Sequence, residues 1–289
     1  MTSCSEATEA LPIEGTYIHW VDELPASLPG AIRFGPYLQT NPGDALFEWP
    51  RVARFRVRGG QRIDIEVAAG ATKEQAASLA RGAPFGALVH QRGELPLHAS
   101  TVLRPGENTA LLIAGVSGAG KSTTAAAFAR RDWKVLNDDL SRLTTSGSQV
   151  MVWPGFHALK LWHKSCELLN IDYSPLRPTG ESKRKYFWTS GEVEGAHLVS
   201  AIIELSSEGE SQGGLKQLSG SAAIQMLLRQ TYRPKLVRAL GLKDAHFARV
   251  LQVARTVACF RFEKCHALTP ADLSKYLETC VGPGIPPGS

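Results

Sequence analysis

Gly115-Val116-Ser117-Gly118-Ala119-Gly120-Lys121-Ser122 is the stretch on which the reading of this chain turns. It fits Gly-x-x-x-x-Gly-Lys-Ser/Thr at every fixed position. Residues 110–114 ahead of it form an apolar run of strand length, and residues 121–131 behind it are Ala-rich and read as a helix. Strand, glycine loop and helix in that order are what the physics of such a loop requires. Glycines let the backbone bend until successive N–H groups point at phosphate oxygens, and the helix start adds partial positive charge. Lys121 is then expected to reach the terminal phosphates, with the Ser122 hydroxyl on magnesium. The expected nucleotide contacts are Gly115, Ser117, Gly118, Ala119, Gly120, Lys121, Ser122 and Thr123. The competing reading is a glycine turn that caps a surface helix.

Working outward, residues 133–137 read as the next strand, which ends at Asp138-Asp139, 17 and 18 positions beyond Lys121. Adjacent carboxylates in a nucleotide site have two jobs open to them. One can hold magnesium and the other can accept the proton of an attacking hydroxyl. Like charges this close also raise the pKa of one member, which suits a base. An Asp-Asp turn is the structural alternative. Most ATPases with this loop carry a single acidic residue far away in sequence; here the carboxylates are double and near.

The loop, the aspartate pair at this spacing and the upstream strand Leu97-His98-Ala99-Ser100-Thr101-Val102 together resemble the catalytic domain of the HPr kinase/phosphorylase family. The resemblance covers residues 90–160 and, more loosely, the helical segment 226–233. It implies an α/β fold with a mixed sheet and a nucleotide-binding core shared with phosphoenolpyruvate carboxykinase. It also implies ATP and magnesium as cofactors and phosphorylation of a serine hydroxyl. Carried onto this chain, it makes Asp138 the general base, sets Asp139 with Ser122 on magnesium, and stands His98 near the transferred phosphate. Read without the resemblance, His98 on a mostly apolar strand is also a candidate core histidine.

Two departures from the family pattern narrow what carries over. Its Glu-, Arg- and Gly-rich segment after the aspartates, linked to the reverse phosphorylase reaction, has no counterpart; the chain reads Val152-Trp-Pro-Gly-Phe-His-Ala-Leu-Lys-Leu-Trp162 instead. The first hundred residues also do not look like the family's regulatory domain. The chain is more similar to the divergent HPr-kinase-like proteins encoded beside ribosomally made peptides, lasso-peptide clusters among them. That likeness implies a serine hydroxyl on a precursor peptide as the acceptor.

Two other functions fit the same residues. A small-molecule kinase, for instance of free serine, needs only a positioned hydroxyl. A nucleotide sensor that transfers nothing needs the loop but not the second carboxylate. Further charges are available in Lys183-Arg184-Lys185 and in Arg229 and Arg233, four apart and on one face if their helix continues. They read either as stabilisers of the phosphoryl group in flight or as a solvated basic face. Trp153, Phe156, Trp162, Tyr186, Phe187 and Trp188 read as core or as the lining of a peptide groove.

The remaining chain is expected to form an N-terminal region, residues 1–90, with loops and short strands to residue 50, a hairpin over 54–67 and a helix capped by Thr72. Whether it extends the catalytic sheet or stands apart is open at this stage. The kinase domain is assigned to 91–282, with a strand over 95–102, a hairpin joining 140–143 to 150–153 around 144–148, and a strand over 198–205. Helices are expected at 221–231, 244–257 and 270–279, the last capped by Thr269, followed by a flexible tail at 283–289.

Composition narrows the classes. With 289 residues, 43% hydrophobic and 20% charged, the chain reads as globular. Lys+Arg 32 against Asp+Glu 27 leaves only +5, with no basic run, so nucleic acid is not an expected partner. The absence of any apolar run of membrane-spanning length predicts no membrane partner. The acidic N-terminus lacks the features of a secretory signal, so a cytoplasmic location is expected. Cys4, Cys166, Cys259, Cys265 and Cys280 form no CxxC pair, and Cys265-His266 is a weak metal signal. A homo-oligomer is left open.

Overall fold

The computed structural model describes residues 8–156, 158–179, 182–206, 214–263 and 268–281. Cys4, Cys265, His266 and the 283–289 tail lie outside the described residues. Two compact units divide the chain: Met1–Pro96 with Arg233–Ala248, and Leu97–Tyr232 with Arg249–Ser289.

In the first unit a seven-stranded sheet runs in the order Thr8–Ala10, Tyr17–Trp20, Arg62–Val67, Ala53–Arg58, Asp44–Trp49, Leu38–Asn41, Ile32–Arg33. The hairpin expected over 54–67 is its centre: Phe55 faces Ile65 and Val57 faces Ile63, all four fully buried. Alternation of these residues with Arg and Glu puts one face of the pair in the core. The helix Lys73–Ala80 starts where Thr72 accepts from the Gln75 backbone while the Gln75 side chain returns to the Thr72 N–H, a capping box.

In the second unit the main sheet runs Lys134–Asn137, Ala99–Leu103, Thr109–Gly115, His197–Ser206, Gln149–Trp153, Ser141–Ser146. Thr109–Gly115 is parallel to His197–Ser206 and antiparallel to Ala99–Leu103, so the sheet is mixed and the architecture is mixed α/β. Ala258–Glu263 adds in parallel to His197–Ser206 and carries Gly214–Leu218 antiparallel on its other side. The strand Thr109–Gly115 is buried from Ala110 onward, so both of its faces are covered and its apolar run shows no alternation. It feeds the loop, and the loop feeds the helix Lys121–Ala129.

Three expectations change. The run 95–102 is two strands, Leu95–Leu97 and Ala99–Leu103, because the His98 N–H leaves the ladder to donate to the Gln230 carbonyl at 2.7 Å. The hairpin after the aspartates is tighter than 144–148 suggested: Ser146 pairs with Gln149, leaving Gly147-Ser148 as the turn, with Gly147 at φ 58°. The helix Gly220–Gln230 stops before Arg233, whose φ of 49° starts a new helix, so Arg229 and Arg233 do not share a helical face.

The helix after the loop is held by its apolar side. Phe128 is fully buried with its ring centroid 4.7 Å from that of Trp133, and the Trp133 indole N–H donates to Glu278 at 3.2 Å. Glu278 lies on the helix Pro270–Cys280, which opens with Thr269 accepting from the Asp272 N–H. Phe128→Ala is expected to cost about 3–5 kcal/mol of unfolding free energy by urea titration, against about 1 kcal/mol for Thr72→Ala, which removes only a cap.

Candidate active site

The loop takes its shape from its glycines. Gly115 sits at φ 147°, where a Cβ would lie 2.8 Å from the Leu205 carbonyl oxygen on the neighbouring parallel strand. Gly118 and Gly120 follow at φ 82° and 90°, turns that L side chains resist. Gly120 is the helix N-cap and offers no side chain, so the first helical N–H groups are not occupied by a capping side chain. That leaves them directed out of the helix start, where an anion is favoured.

Lys121 lies folded back under this loop. Its ammonium donates to the Gly115 carbonyl at 2.9 Å and the Val116 carbonyl at 3.3 Å, and to His98 Nε2 at 3.0 Å. An ammonium has no acceptor, so His98 Nε2 must accept and the ring proton sits on Nδ1. Nδ1 then donates to the Asp139 carbonyl at 3.0 Å. Burial, and after it the Lys121 charge, hold the His98 pKa below its ordinary value, which keeps the imidazole in this neutral form. Burial likewise lowers Lys121, against the pull of Asp139 and Asp138.

Asp138 accepts from three elements. Its Oδ1 receives the Ser100 hydroxyl at 2.6 Å and the Ser122 hydroxyl at 2.9 Å, and its Oδ2 receives the Lys160 backbone N–H at 2.9 Å. Burial and the neighbouring Asp139 charge nevertheless push its pKa above the usual carboxylate value. Asp139 turns the other way. Its φ of 66° is a left-handed conformation that Asp tolerates better than most residues. Its carboxylate, 48% exposed, stands 4.0 Å from His98 Nδ1 and 3.7 Å from Lys160 Nζ.

The structure therefore brings Lys121, Ser122, His98, Asp138 and Asp139 into one cluster, with Ser122 bonded to Asp138 while Asp139 lies on the His98 side. A hydroxyl and two carboxylates are the hard oxygen donors that suit magnesium, which takes its other ligands from phosphates and water. Thr123 faces elsewhere, its hydroxyl 2.9 Å from that of Ser165.

Two residues of the site carried no sequence signal. Gln230 accepts the Gly115 N–H on its side-chain oxygen at 3.1 Å, accepts the His98 N–H on its backbone carbonyl, and donates to Glu204 at 2.8 Å. Glu204 sits opposite Ala114 in the parallel register. Burial alone would raise its pKa, but bonds from Gln230, Arg261 and Arg229 outweigh it and hold the carboxyl below its ordinary value. Arg229 is thus a partner of Glu204, at 3.2 Å. Nothing in a glutamine at the end of a helix or a glutamate in a strand announces such contacts.

The basic and aromatic segments divide. Leu159–Trp162 and Lys185–Trp188 form an antiparallel pair that the sequence did not reveal. Tyr186 stacks on Tyr173 with centroids 5.2 Å apart and Trp188 packs on the core, whereas Trp162 is 50% exposed under the Lys185 ammonium. Trp153 is 36% exposed and donates to the Thr144 hydroxyl.

No protein-family model and no curated protein matches the sequence. Among solved structures, the Hpr(Ser) kinase/phosphatase from Coxiella burnetii is similar at 11% identity and a TM-score of 0.35, over 64% of this chain and 95% of that chain.

The His98 geometry sets a titration. In nitrogen-detected NMR the imidazole is expected to keep its proton on Nδ1 and to titrate below the ordinary histidine value of about 6.5. Lys121→Met removes a positive neighbour, so the His98 pKa is expected to rise; a fall would show that the ammonium does not stand against Nε2.

Proposed function

We propose that the chain is an ATP- and magnesium-dependent kinase that transfers the γ-phosphoryl group to a serine hydroxyl of a peptide or protein. The observation that carries this reading is the Asp138 carboxylate receiving the Ser122 hydroxyl at the mouth of the glycine loop, with Asp139 beside it and open to solvent. Glycine-loop amides and the helix start cradle phosphates, and Lys121, released from the loop carbonyls, neutralises the charge that develops on the transferred group. Bound magnesium would supply charge stabilisation at the phosphate oxygens and would be held by Ser122 and a neighbouring aspartate.

The hydrogen bond from Ser122 favours Asp138 for the metal side and leaves Asp139 to orient the acceptor hydroxyl and take its proton. This reverses the split implied by the family resemblance. The raised pKa of Asp138 is the observation on the other side, because a carboxylate with a higher pKa is the better base. His98 holds the pair in register: its ring bridges the Lys121 ammonium and the Asp139 backbone, so it orients both without carrying charge. A ribosomally made precursor peptide is the acceptor that the likeness to lasso-peptide-associated proteins supports. Free serine as acceptor and pure nucleotide sensing remain the rivals, and the second carboxylate speaks against sensing.

The test is incubation with γ-labelled ATP, magnesium and a panel of HPr, short serine peptides and free serine. Label is expected on a peptide or protein serine. Lys121→Met is expected to lower the rate by about 10²–10³-fold. Asp139→Asn is expected to lower transfer by about 10²–10⁴-fold with magnesium-ATP affinity retained, and Asp138→Asn to weaken that affinity. The opposite result for the two variants would restore Asp138 as the base. Bound ATP with no label moved to any hydroxyl would overturn the kinase reading in favour of a sensor.

A further inference from the structure

Beyond the reacting groups, the pair Leu159–Trp162 and Lys185–Trp188 presents an organised outer face. Leu159 and Leu161 are buried in the core, so by strand alternation Lys160 and Trp162 point the other way. Register sets Phe187 directly across from Lys160 and Lys185 directly across from Trp162. The outer face therefore carries two successive rungs, Lys160 with Phe187 and Trp162 with Lys185.

The first rung is joined to the aspartates. The Lys160 N–H donates to Asp138, and its ammonium stands 3.7 Å from Asp139. At the second rung the Lys185 ammonium lies 5.5 Å from the centroid of the half-exposed Trp162 ring. Lys183 and Arg184, both exposed, continue the positive charge from that end. Two rungs on one face are separated by about 7 Å, the rise of two residues of extended chain.

Resting on the kinase reading, we propose that this face binds the acceptor as an extended acidic peptide, with a carboxylate side chain two residues from the phosphorylated serine seated on Lys185 and Trp162. Side chains two apart in an extended peptide project to the same side, so a serine hydroxyl at Asp139 brings that carboxylate over the second rung. Charge complementarity selects an acidic partner. The exposed indole adds apolar contact to the peptide's side-chain stems. A neutral or basic peptide brings no carboxylate to that rung.

Binding and transfer test this separately. The full chain is titrated, without nucleotide, against fluorescein-labelled octapeptides carrying one serine with Glu or with Gln at the positions two residues either side, and transfer to the same peptides is measured. At low salt the Glu peptides are expected to bind about five-fold tighter than the Gln peptides, an exposed ion pair's share of affinity, and the gap should close as salt is raised. Lys185→Glu is expected to abolish or invert the preference with the magnesium-ATP KM unchanged. Lys185→Gln provides a milder variant that only removes the charge, and it should erase the preference. Equal binding of Glu and Gln peptides, or a preference that survives both variants, overturns the acidic-peptide surface. Label transfer to serine in that case leaves the kinase reading standing. Acid-selective binding that Lys185 controls, without transfer to any hydroxyl, would sustain the surface and sink the kinase reading.

Discussion

A carboxylate half withdrawn from water must be given donors, and Asp138 collects them from three directions. Ser100 comes from the strand beside the loop strand, Ser122 from the first turn of the loop helix, and the Lys160 N–H from the edge of the small antiparallel pair. Each donor constrains the element that supplies it, because leaving a half-buried carboxylate with an unfilled lone pair costs more than any one of the bonds contributes. The loop helix, the strand Ala99–Leu103 and the pair of Leu159–Trp162 with Lys185–Trp188 are thereby tied to one group. Burial and the Asp139 charge outweigh the donors and raise the Asp138 pKa, next to a second carboxylate that stays in contact with water.

A second constraint acts from the opposite edge of the loop. Gln230 fixes the Gly115 N–H with its side chain and the His98 N–H with its backbone, so one residue sets where the loop begins and where the strand breaks to present the histidine. Glu204, neutralised by Arg229 and Arg261, holds the Gln230 amide in the orientation that leaves its oxygen for Gly115. The strand break at His98 is thus useful. An unbroken strand would have committed the His98 N–H to the ladder, and the ring would have no reason to stand between Lys121 and Asp139.

What the sequence made legible are the features whose cause is local. The glycine loop, its flanking strand and helix, the Thr72 and Thr269 caps and the 54–67 hairpin all depend on residues within a few positions of each other. The Gln230 contacts span 115 positions to Gly115 and 26 to Glu204, and no short-range pattern encodes them. The pairing of Leu159–Trp162 with Lys185–Trp188 is hidden for the same reason, with the helix His163–Leu168 between its strands. The many short strands before residue 50 defeat periodicity because two to six residues, broken by Pro and Gly, are too few to show a period.

The aspartate pair shows a different limit. Spacing from the loop identifies both residues as site candidates, but it cannot say which of two neighbours meets the Ser122 hydroxyl. In an extended chain adjacent side chains point to opposite sides, so one of the two must face away from the helix start. The left-handed turn at Asp139 decides the matter by carrying its carboxylate toward His98 and Lys160, while Asp138, one residue past the strand, points at Ser122 and Ser100. A single backbone torsion therefore separates two chemically identical groups into a bonded, half-buried one and an open one. Two equal side chains thereby come to stand in unequal surroundings without any difference in residue type.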